Sequence, residues 1–458
     1  MLKKIAFSAF LLASFSSLAQ SEDEKLQIDS IYDQALNSKT SYEDLRFLCK
    51  EIGARLSGSE ELEQAINWAD TLMKGIGDVK VYRQDVTVPH WERKGQNAYY
   101  YSNRGRQKVR ISALGGSVGT GNYKISSGVV EFESIEALEK ADSTDVSGKM
   151  VFINKPFNES FINTFHAYGA CSSQRYWGAV KAAEKGAIAV LIRSLSNSDD
   201  NHPHTGVMGY DENVDSIPAV ALSVRSANLL SEDLKNDTTV NFSLKVNTIF
   251  NKDALSHNVI AEIKGSEFPD DIMTVGAHID SWDIGEGAHD DGAGVVQVID
   301  VLRIFNKMGY QPKHTIRFVL FTNEENGAKG AKRYAELAVS NAENHVVAIE
   351  SDRGGFSPRG FNIDSKDEEL KIKIRSWKPF LEKFGLHDFS DGYGGVDIAP
   401  LKKVNENITL LGLNPDSQRY FTHHHAKSDV FESVNRRELA LGTASIATLL
   451  YLLDQNVK

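Results

Sequence analysis

Cysteine is nearly absent from this 458-residue chain: only Cys49 and Cys171 occur. Their separation fits no zinc-binding spacing, which excludes a thiolate metal site. It leaves open a disulfide or two separate buried thiols. An excess of basic residues is also missing. The formal net charge is -11, which removes nucleic-acid binding as the main activity, because phosphate binding wants a basic face. Long hydrophobic runs are lacking too. The stretch Ile5 to Phe15 falls well short of the ~20 residues a membrane span needs. There is no internal repeat and no low-complexity tract. The length implies two or three domains.

That N-terminal stretch reads as a secretory signal peptide over 1–19. Lys3-Lys4 form the charged start, Ile5 to Phe15 the apolar centre, and Ser17-Leu18-Ala19 a small-x-small cleavage site before Gln20. The expectation is export to the periplasm or the medium, with no membrane span in the mature chain. No cysteine follows the cleavage site, so a lipid has no acceptor there.

Residues 20–116 carry helical patterns and one alternating strand. Ser59 to Gly75 has apolar residues at helical spacing and stops at glycine, and Val79 to Val88 alternates. The run Leu114-Gly115-Gly116-Ser117-Val118-Gly119-Thr120-Gly121 lacks the Lys-Ser/Thr of a phosphate loop and reads as a flexible domain junction. Residues 117–250 then read as a separate β-rich insert with one helix, Gln174 to Gly186. Its His202-Pro203-His204, a possible metal pair, reads as a polar surface loop, because no nearby acid cluster completes a site. From 251 to 458, strands alternate with helices. This implies an α/β fold with a mixed, mainly parallel sheet between helices. Sites in such sheets gather at the C-terminal ends of strands.

Six clusters of ligand-type residues lie there. They are Gly276-Ala277-His278-Ile279-Asp280, His289-Asp290-Asp291-Gly292, Asn323-Glu324-Glu325-Asn326, Glu350-Ser351-Asp352, Asp391 to Asp397, and His423-His424-His425-Ala426-Lys427-Ser428-Asp429. Imidazoles at both ends with carboxylates between them suit a pair of divalent cations, zinc in particular.

In this order and spacing, the clusters resemble the co-catalytic zinc exopeptidases. That family takes in secreted bacterial aminopeptidases and carboxypeptidase Q, and the details sit nearer the latter. His278-Ile279-Asp280-Ser281-Trp282-Asp283, Glu350-Ser351-Asp352, Tyr420-Phe421 and Pro203-His204-Thr205-Gly206 carry that likeness. The resemblance implies two zinc ions per chain. It makes His278 and Asp352 ligands of one, Glu325 and His425 ligands of the other, and Asp290 the bridge. It implies a cis peptide between Asp290 and Asp291. Asp280 is expected to hold the His278 imidazole. Asp429 is expected to support His425. Glu324 becomes the general base for water, and His424 stands where many relatives place an oxyanion donor. His289 departs from the pattern and is expected outside the ligand set.

The insert resembles a protease-associated domain, expected to border the cleft and leave the metal chemistry to the rest. The implied activity is hydrolysis of dipeptides or short peptides by metal-assisted water attack, with amino- or carboxypeptidase polarity open and a homodimer as the implied assembly. A single-zinc glutaminyl-cyclase-like enzyme and a transferrin-receptor-like binding ectodomain are the competing readings. The complete ligand set argues against both.

Overall fold

The computed structural model describes residues 22–121 and 123–457, so the expected signal peptide lies outside the described residues. Among the described residues, fifteen strands build two sheets. Those in the first half are β1 (Lys80–Val88), β2 (Trp91–Ser102), β3 (Gly105–Val109), β4 (Ile111–Ala113), β5 (Ile125–Phe132), β6 (Met150–Ile153), β7 (Ala189–Arg193), β8 (Ala219–Leu222) and β9 (Asn241–Phe250). Those in the second half are β10 (Ala254–Ile263), β11 (Phe268–His278), β12 (His314–Phe321), β13 (Asn344–Glu350), β14 (Pro358–Asp364) and β15 (Thr409–Pro415).

The first sheet has the order β1-β10-β12-β11-β13-β15-β14. Its centre, β12-β11-β13-β15, is parallel, while β1, β10 and β14 pair antiparallel at the edges. The sheet is therefore mixed, with a parallel core. β12 is buried along its whole length, as its largely apolar run Ile316 to Phe321, broken only by Arg317, suits in a strand covered on both faces. Helices Ala293–Lys307 and Arg436–Asn456 pack against one another, and their apolar residues join those of β11, β12 and β13 in one large core. Helix Glu60–Lys74 packs on β1 and β10. It starts at Ser59, whose hydroxyl accepts the Leu62 N–H, as the Ser–Glu–Glu start favours.

The second sheet has the order β3-β2-β9-β5-β6-β7-β8-β4. It differs from the sequence expectation in two ways. It begins at Trp91, ahead of the boundary placed at 117, because β2 pairs with β9 along most of its length. It is also α/β and not merely β-rich: β5, β6, β7 and β8 run parallel, with helices at Thr164–Glu184 and Val224–Asn236. Helix Thr164–Glu184 starts ten residues before the expected helix, at an Asn163 cap that accepts the Phe165 N–H. The glycine-rich segment is not an open hinge. A Cβ on Gly115 would lie 1.9 Å from the Trp282 indole, so the backbone there packs directly on the first unit. Cys49 and Cys171 are both free and buried. No helix among the described residues is long and apolar enough to cross a membrane.

Candidate metal centre

The parallel strands deliver the acidic and histidine clusters to one end of the first sheet. β11 ends at His278, β12 ends two residues before Asn323, and β13 ends at Glu350, two residues before Asp352. Asp290 and Asp291 precede helix Ala293–Lys307, and their peptide bond is cis. His424 and His425 follow the short helix Tyr420–His423.

Asp290 stands at the middle. Its Oδ1 lies 3.3 Å from His278 Nε2, and its Oδ2 lies 3.2 Å from His425 Nε2. His278 Nε2 is also 3.4 Å from Asp352 Oδ1, and His425 Nε2 is 3.1 Å from Glu325 Oε2. The expected ligands thus fall into two groups that share one carboxylate. His424 Nε2 approaches Asp290 Oδ2 at 3.7 Å, and its ring stacks on His425 with centroids 3.5 Å apart. Asp290, His424 and His425 form one cluster able to grip a cation, and His278, Asp290 and Asp352 form the other. Glu325 is turned into the first cluster by the Trp282 N–H, which its Oε1 accepts at 3.1 Å.

The donor chemistry fits metal ions. His278 Nε2 and Asp290 Oδ2 are buried without a hydrogen-bond partner, a costly state for polar atoms unless something else binds them. Charge says the same. Burial, with Asp352 and Asp280 beside it, pushes Glu324 well above the usual carboxylate range, and burial with Asp290 does so for Glu325. Burial also works against Asp290, but the His278 and His425 imidazoles beside it prevail and hold it well below. Burial works against protonation of His278 too, and Asp352, Asp280 and Asp290 outweigh it. So many buried carboxylates need positive charge among them.

The supporting shell departs from expectation in instructive ways. His278 Nδ1 lies 3.1 Å from the main-chain oxygen of Asp280, and the Asp280 carboxylate stands farther off at 3.6 Å. That carboxylate instead accepts the backbone N–H groups of Glu324 at 3.0 Å and Glu325 at 3.3 Å. Asp280 therefore fixes the Glu324–Glu325 turn more directly than it fixes the histidine. Asp429 does not reach His425. Its oxygens accept the N–H groups of His289 at 2.7 Å and Asp290 at 3.2 Å, so it holds the central carboxylate's backbone. His289 lies outside both clusters, stacked on Phe356, its Nδ1 accepting the Gly355 N–H.

Sequence reasoning missed two groups. Arg55 is fully buried and donates to the carbonyls of Ile279, Glu286 and Gly287, pinning the loop between His278 and Asp290. The second group comes from the second unit. His204 is buried, and its Nδ1 lies 2.6 Å from the His424 carbonyl. The Thr205 N–H donates to the His425 carbonyl at 2.9 Å, and the Thr205 carbonyl faces His425 Nδ1 at 3.3 Å. These bonds flank a His425 backbone in the left-handed region, φ 58°. His202-Pro203-His204 is thus not simply a surface loop; Pro203-His204-Thr205-Gly206, already a recognisable motif, was the available signal. The two units enclose a cavity of about 770 Å³ beside the site, with Glu324, Asp352, His424 and His425 on one side and Tyr168 and Arg175 on the other.

A model of peptidase family M28 matches residues 258–449, the span holding every expected metal ligand. Carboxypeptidase Q from Bos taurus is 32% identical over 423 residues, 92% of this chain and 86% of that protein. The chain belongs to peptidase family M28. It is a peptidase on a mixed α/β scaffold. Among solved structures, an M28 peptidase precursor from Shewanella amazonensis has a TM-score of 0.90 at 32% identity, covering 95% of this chain and 98% of that one. BSAP, a zinc aminopeptidase from Bacillus subtilis, shares the fold at a TM-score of 0.66 and 20% identity, covering 92% of this chain and 97% of that one.

Proposed function

We propose that this M28 peptidase is an exported exopeptidase that uses two zinc ions per chain to hydrolyse dipeptides or short peptides in the manner of carboxypeptidase Q. The observation that carries the proposal is Asp290, whose two oxygens face two different histidines at 3.3 and 3.2 Å. In this reading His278, Asp290 and Asp352 hold one ion. Asp290, Glu325 and His425 hold the other. When bound, such ions acidify a water and polarise the scissile carbonyl.

The remaining work belongs to the chain's own residues. Glu324 lines the cavity and takes the proton of the attacking water at its carboxylate, then delivers it to the leaving amine. Asp280 keeps that carboxylate in place through the Glu324 and Glu325 N–H groups. His424, buried at the cavity wall, presents a ring nitrogen to the carbonyl oxygen as negative charge develops there. The second unit acts as a protease-associated domain, closing one side of the cavity. The proposal includes a homodimer and a signal peptide over 1–19.

Zinc and peptide tests decide it. Exhaustive chelation should abolish dipeptide hydrolysis by the full chain, and zinc should restore it. Hydrolysis that survives complete metal removal would sink the reading.

A further inference from the structure

Two arginines line the cavity with no acidic partner. Among the described residues, neither Arg175 nor Arg353 has a carboxylate oxygen within 4.0 Å. Arg93 by contrast pairs with Asp283, and Arg317 with Glu262 and Glu343, while Arg55, also without a carboxylate, spends its donors on main-chain carbonyls, those of Ile279, Glu286 and Gly287 among them. Arg353 makes one bond, from Nη2 to the Tyr393 carbonyl at 2.8 Å, and stands 5.4 Å from the Phe165 ring centre. Arg175 is 8% exposed, and its Nε has no partner. Its other contacts are long, Nη1 to the Thr205 carbonyl at 3.5 Å and to His425 Nδ1 at 3.4 Å. A guanidinium carries five N–H donors, so most of this donor capacity is free. For Arg175, burial without a counter-ion is costly, and a bound anion would offset it.

The carboxylates near the arginines are already engaged. Glu350 accepts the N–H groups of Val396, Asp397 and Ile398, each at 2.9 Å. Asp391 pairs with Lys371 and Arg375. The other acids lining this cavity are Asp290, Glu324, Glu325 and Asp352, already assigned to metal and water. The cavity therefore offers spare positive groups to a ligand and few spare negative ones.

Position narrows the ligand. Arg353 lines the same cavity as Asp352, and Arg175 Nη1 stands 3.4 Å from His425 Nδ1, so both guanidiniums border the cavity that holds the donor groups. One residue of extended peptide spans about 3.3–3.6 Å. A carboxylate one residue beyond the scissile carbonyl would thus lie at the wall next to the ligands. We propose that Arg353 and Arg175 form the subsite for the free α-carboxylate of the substrate's C-terminal residue. This rests on the peptidase reading above and gives that site carboxypeptidase polarity.

The test uses the zinc-loaded full chain with a neutral dipeptide, its C-terminal amide and its N-acetyl form. Wild type should favour the acid over the amide by about tenfold to hundredfold in kcat/KM, the order of a charge-assisted pair. The N-acetyl form should be cleaved better than the amide. Arg353→Gln should raise KM for the acid far more than for the amide, so that the acid/amide ratio approaches one. Arg353→Lys should recover part of the ratio, since it keeps the charge and loses the planar fork. A merely structural role would lower acid and amide turnover alike. Arg175→Gln should behave as Arg353→Gln does, with zinc content measured because it adjoins His425; if zinc is lost there, the Arg353 pair decides. Equal turnover of acid and amide by wild type, or an unchanged ratio in Arg353→Gln, overturns the subsite while leaving the peptidase reading intact. A zinc-loaded wild type that cleaves none of the three overturns both.

Discussion

Replacing Asp280 by asparagine separates two accounts of this site. The carboxylate accepts the Glu324 N–H at 3.0 Å and the Glu325 N–H at 3.3 Å, one on each oxygen. An asparagine keeps one acceptor and turns the other atom into a donor. One buried N–H must then face an N–H. Losing a charge-assisted hydrogen bond and stranding its donor costs about 1.5–3 kcal/mol. The strain falls on the turn that carries Glu324 and Glu325, while the His278 ring keeps its nearer partner, the Asp280 main-chain oxygen at 3.1 Å.

The expected outcome is a fall of about 10- to 100-fold in kcat, the usual scale for a supporting partner. Thermal stability should drop, and zinc at His278 should be retained. Removing this negative charge also lets the Glu324 carboxyl come down, since Asp280 is among the groups that raise it. The acid limb of the kcat/KM profile should therefore move to lower pH. The assay is dipeptide turnover across pH, with metal analysis and a melting curve on the same preparation. Loss of the His278 metal with the acid limb unmoved would refute the reasoning and return Asp280 to the role of a histidine partner.

Glu324→Gln should cut kcat by about 10²–10⁴-fold, the scale of general base catalysis, with metal content unchanged. Glu325→Gln should instead weaken metal retention, and the opposite pattern, read by metal analysis, would exchange the two roles. His204→Ala should remove the contact to the His424 carbonyl, lowering zinc affinity measured by competition with a chelator, although the residue lies in the second unit. Burial holds His204 down to about 4 and His289 down to about 3, so each protonates more readily when unfolded. Stability should fall as pH drops from about 6.5 toward 3–4, and His289→Gln should flatten part of that slope in melting curves. Gly115→Ala forces a methyl against Trp282 and should cost about 1–3 kcal/mol in chemical denaturation.

The clusters of the candidate metal centre were legible because their parts are local. Each cluster sits at a strand end or turn, and buried strands such as β12 show themselves as near-continuous apolar runs. The parallel core could be read from alternation of strands and helices. The antiparallel edges could not, since β1 pairs with β10 across more than 160 residues and register is a tertiary property. The same limit hid the membership of β2 in the second sheet, settled by its pairing with β9. The supporting contacts were hardest. His204 meets His424 across 220 positions, and Arg55 meets the Gly287 carbonyl across 232. Asp280 shows a subtler gap: it stands beside His278 as expected, but its closer bonds to the Glu324 and Glu325 N–H groups were not foreseen. Sequence spacing put it beside His278, while the folded turn offered two N–H groups that its carboxylate binds more closely.

The claim that Asp290 joins two metal sites is tested most directly by zinc titration of the metal-free full chain, with bound zinc and dipeptide turnover measured at each step. The account predicts two zinc ions per chain when activity reaches its plateau, and loss of binding at both sites in Asp290→Ala. A plateau reached with one zinc bound, or an Asp290→Ala variant that keeps two, would contradict it.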